Sequence, residues 1–209
     1  MTRSNAGTKG VPRAERSQQI LEISSLAFGS DGFAATNLAD VARSAGISKP
    51  LIYHHFGSKE GLYIACLDQA GELLADAMER VARGDVVGVE RGLRTLDAMF
   101  AILEDQRHLW RLLHDRTAPE TDPVASVVRR HADRIDALAH EGVSELLVLA
   151  GNTDPVDASA LTAMWIGLVD ALMDWWVAHP EATAPEMSER LGRVMGALLT
   201  DVSRLGATG

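Results

Sequence analysis

Apolar positions recur at three- and four-residue intervals through most of this chain, and from residue 84 onward no segment alternates at the two-residue period of a strand. A first helix is predicted from residue 13 to about Ser30, with Ile20, Leu21, Ile23, Ala27 and Phe28 on one face and Asp31-Gly32 as its stop. Thr36 or Asn37 then caps a short helix that carries Leu38, Val41 and Ala42 on one side. Ala45-Gly46-Ile47 makes a turn, because Gly46 can take a positive φ. Ser48 caps a second short helix, whose first turn needs no backbone donor and so tolerates Pro50. Phe56-Gly57 closes that helix, and Ser58 caps a longer one running to about Arg83. Further breaks at Gly84-Asp85, Asp115 to Pro123, Gly151 to Pro155 and His179 to Pro185 leave helices over about 86–104, 106–115, 123–149, 156–178 and 185–205. The expected fold is all-α, with a three-helix N-terminal domain followed by a larger antiparallel helical domain.

Two short capped helices separated by a tight turn form a helix-turn-helix, over about 37–56. The stretch GFAATNLADVARSAGISKPLIYHHFGSKEGLYIAC, residues 32–66, places a Gly-aromatic pair, a Thr, Ala-Gly-Ile-Ser-Lys, Tyr-His-His-Phe and Ser-Lys-Glu in one register. In that register it resembles the N-terminal domain of the TetR family of transcriptional regulators. The likeness covers roughly residues 13–70, and beyond them only the helical organisation is similar. Leu51 departs from it, since the family commonly has Thr there; the change removes a hydroxyl and leaves an apolar contact suited to a thymine methyl.

The residues support the same assignment. The second short helix carries Lys49, Leu51, Tyr53 and His54 early and outward, where a recognition helix meets base edges, while Ile47, Ile52 and Phe56 anchor it. Helix starts before Asn37 and before Lys59 offer free amides and positive dipole ends to phosphates. The resemblance implies Thr36, Tyr53 and Lys59 as clamps on the DNA backbone and Lys49, Leu51 and His54 as groove readers. Ser48, at the N-cap, and Arg43, on the outer face of the preceding helix, complete the candidate DNA-binding set. Taken singly, each lysine could be a solvated surface charge and each ring a packing group; their common register favours DNA.

Charge changes the picture only once it is divided. The whole chain carries −9, but residues 1–60 hold seven Lys/Arg against five Asp/Glu, and residues 61–209 hold thirteen Arg against twenty-four Asp/Glu. All three lysines, Lys9, Lys49 and Lys59, fall in the first part. The acidic remainder repels DNA and favours docking by one end. The lone Cys66 excludes an intrachain disulfide and a cysteine zinc site. The polar start of the sequence lacks the apolar core of a secretory signal, and no uninterrupted apolar run reaches the roughly 18 residues of a membrane span. A cytoplasmic protein with no membrane partner is expected.

The C-terminal helices carry broad apolar stripes. Leu161, Trp165, Leu168, Leu172 and Trp175 mark one helix, and Met187, Leu191, Val194, Leu198, Val202 and Leu205 the next. Both stripes exceed what one core-facing surface needs. Pairing with a second copy as a four-helix interface is expected, through Leu161, Leu172, Trp176, Leu191, Met195, Leu198 and Val202; a monomeric core is the plainer alternative. The resemblance implies the same homodimer. Phe100, Trp110, Leu113, His131, Met164, Trp165 and Leu168 are candidate walls of an effector cavity, although such side chains also simply fill cores. His131 falls on the stripe Val124, Val128, Ile135, Leu138 and needs a polar partner, in the protein or in a ligand. No histidine pair has i, i+4 spacing with an acidic cluster beside it, so neither a metal nor a cofactor is expected.

The domain expectation is a flexible arm over 1–12, a DNA-binding domain over 13–60, a ligand-binding and dimerisation domain over 61–205, and a tail over 206–209. The functional expectation is a regulator, most simply a repressor, that leaves double-stranded operator DNA when an unidentified small molecule binds. The alternatives are a helical enzyme, against which stands the absence of a phosphate loop, a nucleophile elbow or a His-Glu-x-x-His motif, and a helical ligand-binding module that no longer binds DNA.

Overall fold

Glycines and capping side chains set the helix boundaries. The computed structural model describes residues 12–206, with side chains up to residue 197; all of the expected arm but Pro12, and all of the expected tail but the Gly206 backbone, lie outside it. Among the described residues every regular element is helical: α1 (Arg13–Ala35), α2 (Leu38–Ser44), α3 (Lys49–Phe56), α4 (Lys59–Ala82), α5 (Gly88–Leu103), α6 (Arg107–Leu113), α7 (Asp122–Leu149), α8 (Pro155–Ala178) and α9 (Ala184–Gly206). The all-α reading of the sequence holds. The chain forms two compact units: one takes in the chain up to Glu72 together with His108–His131, and the other Leu73–Arg107 together with the chain from Ala132.

In the first unit, α1 is kinked at Gly32, whose φ of 77° no β-carbon-bearing residue adopts cheaply. The freed amides of the following turn are taken up from far along the chain. Phe33 N donates to Asp115 Oδ2 at 2.6 Å, and Ala34 N donates to Thr117 Oγ1 at 3.1 Å. Tyr63 OH donates to the same Asp115 carboxylate at 3.2 Å. Burial alone would raise the Asp115 pKa, but these donors and Thr117 outweigh it and hold the carboxyl below its usual range. Tyr63 itself packs edge-on against Phe28 and Phe33, each with ring centroids 5.0 Å away. Cys66 is buried in this core, and burial pushes its thiol up to about 12, so it stays protonated.

The second unit is built around Trp176, which is fully buried, meets Phe100 edge-on at 5.0 Å and donates its indole N–H to Ala182 O at 2.7 Å. Arg107 lies 4.0 Å over the same ring. Its guanidinium donates to the carbonyls of Trp176, His179 and Ala182, satisfying the end of α8 and complementing that helix's negative pole. In the same unit Arg134 pairs with Asp76 and Glu79.

Helix α8 departs from the sequence expectation in one respect. Although Asp157, Asp170 and Asp174 interrupt it, the helix is long and apolar enough to cross a membrane by length and composition. Little of it is buried within this chain: Val156 is 71% exposed and Met164 70%, with Leu168 and Trp175 at 44% each. These positions, with Ala160 and Ala171, recur at helical spacing and form one exposed apolar face.

Candidate nucleic-acid interface and effector cavity

Helix α2 is stopped chemically at both ends. Asn37 caps α2 by accepting from Ala39 N at 2.9 Å. At the other end Gly46, at φ 64°, allows a Schellman closure in which Ile47 N donates to Ala42 O and Gly46 N to Arg43 O. Buried Leu38, Val41, Ala42 and Ile52 then hold the two helices together. With Ile52 turned inward, α3 presents Lys49, Tyr53 and His54 as exposed side chains, and Leu51 is half-buried between them. Lys49 Nζ stands 5.8 Å from the Tyr53 ring centroid, so its charge rests on an aromatic face rather than on a carboxylate. The Ser48 N-cap makes no side-chain cap bond, and its residue is exposed.

Gly57, at φ 76°, ends α3, and Ser58 starts α4 by accepting from Gly61 N at 2.9 Å. Lys59, the first residue of α4, sits 4.6 Å over the Phe33 ring and donates to Ala34 O at 3.4 Å. Burial lowers its pKa from the ordinary lysine value. Arg43 is exposed and ion-paired with Asp40 at 2.7 Å. Thr36 is placed differently from the rest of the set. It is 4% exposed, and its hydroxyl donates inward to Gly32 O at 2.7 Å, which leaves no hydroxyl proton for a phosphate. His55 points away from this surface and shares a 2.8 Å hydrogen bond with Ser17 Oγ; burial, then the charges of Arg13, His54 and Arg16, lower its pKa.

These elements match the family model described as "Bacterial regulatory proteins, tetR family" over residues 20–66. The chain is 29% identical to the HTH-type transcriptional regulator TtgR of Pseudomonas putida over 80% of its own length and 83% of that protein's. A solved TetR-like transcriptional regulator from Rhodococcus sp. RHA1 is 25% identical, with a TM-score of 0.64 over 90% of this chain and 99% of that one. This chain belongs to the TetR family of transcriptional regulators. It also matches the HTH-type transcriptional activator FasR of Mycolicibacterium smegmatis at 30% identity, over 57% of this chain and 54% of that protein. TetR-family members are DNA-binding regulators rather than enzymes, and they bind operator DNA and small-molecule effectors.

In the second unit a cavity of about 460 Å³ opens among α4, α5, α7, α8 and α9. Of the effector residues expected from sequence, Met164, Trp165 and Leu168 line it. Leu161 and Met195, expected at a dimer interface, line it too. Phe100 is core, packed on Trp176. Trp110, Leu113 and His131 belong to the first unit, where Trp110 stacks on His114 with centroids 4.1 Å apart. Sequence reasoning missed Met78, Arg91, Gly92 and Leu138, which also line the cavity. Gly92 was legible only as a helix-interior glycine: a β-carbon there would stand 3.1 Å from the Trp165 ring, so its absence makes room for the indole.

The partner that His131 requires is Asp68, 2.9 Å from its Nε2. Gly71 lets the imidazole lie against α4, where a β-carbon would approach the ring to 2.4 Å. Asp68, Glu72 and His131 bring ligand-type atoms within 4.8 Å of one another, and Arg130 also pairs with Asp68. Of the remaining residues expected at a dimer interface, Trp176 and Leu191 are buried within this chain, Leu172 is half-buried, and the side chains of Leu198 and Val202 lie outside the described residues.

Proposed function

We propose that this TetR-family protein is a homodimeric, ligand-responsive repressor that acts on chromosomal operators in the cytoplasm. The observation that carries the reading is the two-sided character of α3: Ile52 is fully buried, while Lys49, Tyr53 and His54 stand exposed on one surface with no carboxylate partner among the described residues. Such a surface suits the major groove, with Lys49, Leu51 and His54 toward base edges and Tyr53, Ser48 and Lys59 toward phosphates. Arg43 can leave its exposed pair with Asp40 at little cost. Thr36 instead positions the turn ahead of α2. The DNA-binding part corresponds to residues 13–60 and the sensing and pairing part to 61–205.

The exposed face of α8 is the surface proposed to pair with a second copy, and Val194 on α9 is exposed as well. The cavity is proposed as the effector site. Helix α4 supports a route between effector and DNA, since Met78 and Ala82 near its end line the cavity and Lys59 begins it. An effector that fits one placement of α4 better than another shifts the population away from the DNA-binding spacing. Release on binding makes repression the simplest outcome, because occupancy of an operator blocks a promoter without any further contact.

The test is selection of binding sites from a pool of random duplexes, followed by titration of variants on the selected site. His54→Ala should relax preference at one position per half-site and cost about 1–3 kcal/mol. Lys59→Ala should weaken all duplexes alike and reduce the slope of log affinity against log salt by about one. Failure to enrich any sequence, or unchanged retention of both variants, would remove the α3 assignment.

A further inference from the structure

The effector cavity has an unusual charge arrangement. Its surface is overwhelmingly apolar, from Met78, Leu93, Leu138, Leu161, Trp165 and Met195 among others, and among the described residues Arg91 is the one charged residue on its wall. That guanidinium is already committed. Its Nη2 is ion-paired with Glu145, its Nε donates to Val86 O at 2.7 Å, and its side chain is only 12% exposed. Thr95, which also lines the cavity, spends its hydroxyl proton on Arg91 O at 2.9 Å. An anion entering this space would lose its hydration and find no unpaired counter-charge.

We propose that the cavity takes an uncharged, mainly hydrocarbon molecule, and that Glu145 sets this preference by neutralising Arg91. The volume suits roughly 15–20 non-hydrogen atoms at organic packing density. Gly92 fixes the shape of one wall by letting the Trp165 indole lie against α5. The proposal rests on reading the cavity as the effector site and adds the chemical class of the effector.

A matched pair of fluorescent probes tests it on the intact protein. N-phenyl-1-naphthylamine is neutral, and 8-anilinonaphthalene-1-sulfonate carries the same rings with a sulfonate. The neutral probe should saturate and bind at least about tenfold more tightly than the anion. Glu145→Gln, which frees Arg91, should tighten the anion by about tenfold or more while moving the neutral probe less than about threefold. Gly92→Val should displace Trp165 into the cavity and weaken the neutral probe. Equal or tighter binding of the sulfonate by the parent protein overturns the proposal, and that comparison needs no variant. So does failure of either probe to bind, or neutral-probe binding that disappears when sedimentation shows two copies associated. Titration of the same samples with selected operator separates the two readings. Lost operator binding with the probe order intact refutes the regulator, whereas intact operator binding with the wrong probe order refutes only the ligand class.

Discussion

Ala171→Arg is expected to turn the protein into monomers and to weaken operator binding by about 10²- to 10⁴-fold, the factor that linking two half-site contacts supplies. Ala171 lies on the exposed face of α8 among Met164, Leu168 and Trp175. A single chain leaves this face in water, whereas paired copies would bury it, and an arginine there would have to surrender its hydration without a partner. Because the position is exposed within the chain, the fold itself should be unaffected. Sedimentation equilibrium reads the mass and anisotropy titration the affinity, with circular dichroism as the check on folding. A folded variant that stays dimeric would move the pairing surface off this part of α8.

Gly29→Ala carries the second large effect, on stability. Alanine in the middle of a helix ordinarily stabilises by about 0.5–1 kcal/mol relative to glycine. Here the added carbon would stand 2.1 Å from the backbone oxygen of His108 and 2.8 Å from its carbonyl carbon. Backbone cannot swing aside as a side-chain tip can, so α1 and the start of α6 must separate. Overpacking of this kind outweighs the propensity gain, and a net loss of about 1–3 kcal/mol is expected in a denaturant melt. A variant as stable as the parent would show that this contact yields freely.

The glycine also illustrates what the sequence could and could not reveal. Its place inside a helical stretch was legible, but the neighbour that demands it, His108, lies 79 positions further on and leaves no local signal. The helix order was readable because caps and stops are local: Asn37, Gly46, Gly57 and Ser58 each act within a few residues. The face of α3 was readable for the same reason, since one inward isoleucine at position 52 fixes where its neighbours point. Thr36 shows the limit even there. Its position beside α2 suited a phosphate clamp, yet the kink at Gly32 supplies a nearer acceptor for its hydroxyl.

The cavity was much less legible. Its walls come from five helices, and an apolar stripe looks the same whether it faces a void or a neighbour. Trp176 and Trp165 sit eleven positions apart on one helix, but Trp176 is held in the core by Phe100 and Arg107 while Trp165 borders open space beside Gly92. Arg107 was invisible for a related reason, because its partners are carbonyls 69, 72 and 75 positions away. Asp115 and Thr117 looked like loop punctuation, and their bonds to Phe33, Ala34 and Tyr63 emerge only in three dimensions.

The central claim, that α3 lies in the grooves of operator DNA as one of a symmetric pair, is tested most directly by cleavage from the helix itself. With Cys66 buried and its thiol protonated, His54→Cys provides a surface attachment point for an iron chelate that cuts DNA nearby. On a selected operator, cleavage should fall in two clusters whose centres are about 34–36 Å apart, or a multiple of that, and should vanish at high salt. One cluster only, or cuts spread evenly along the duplex, would contradict the account.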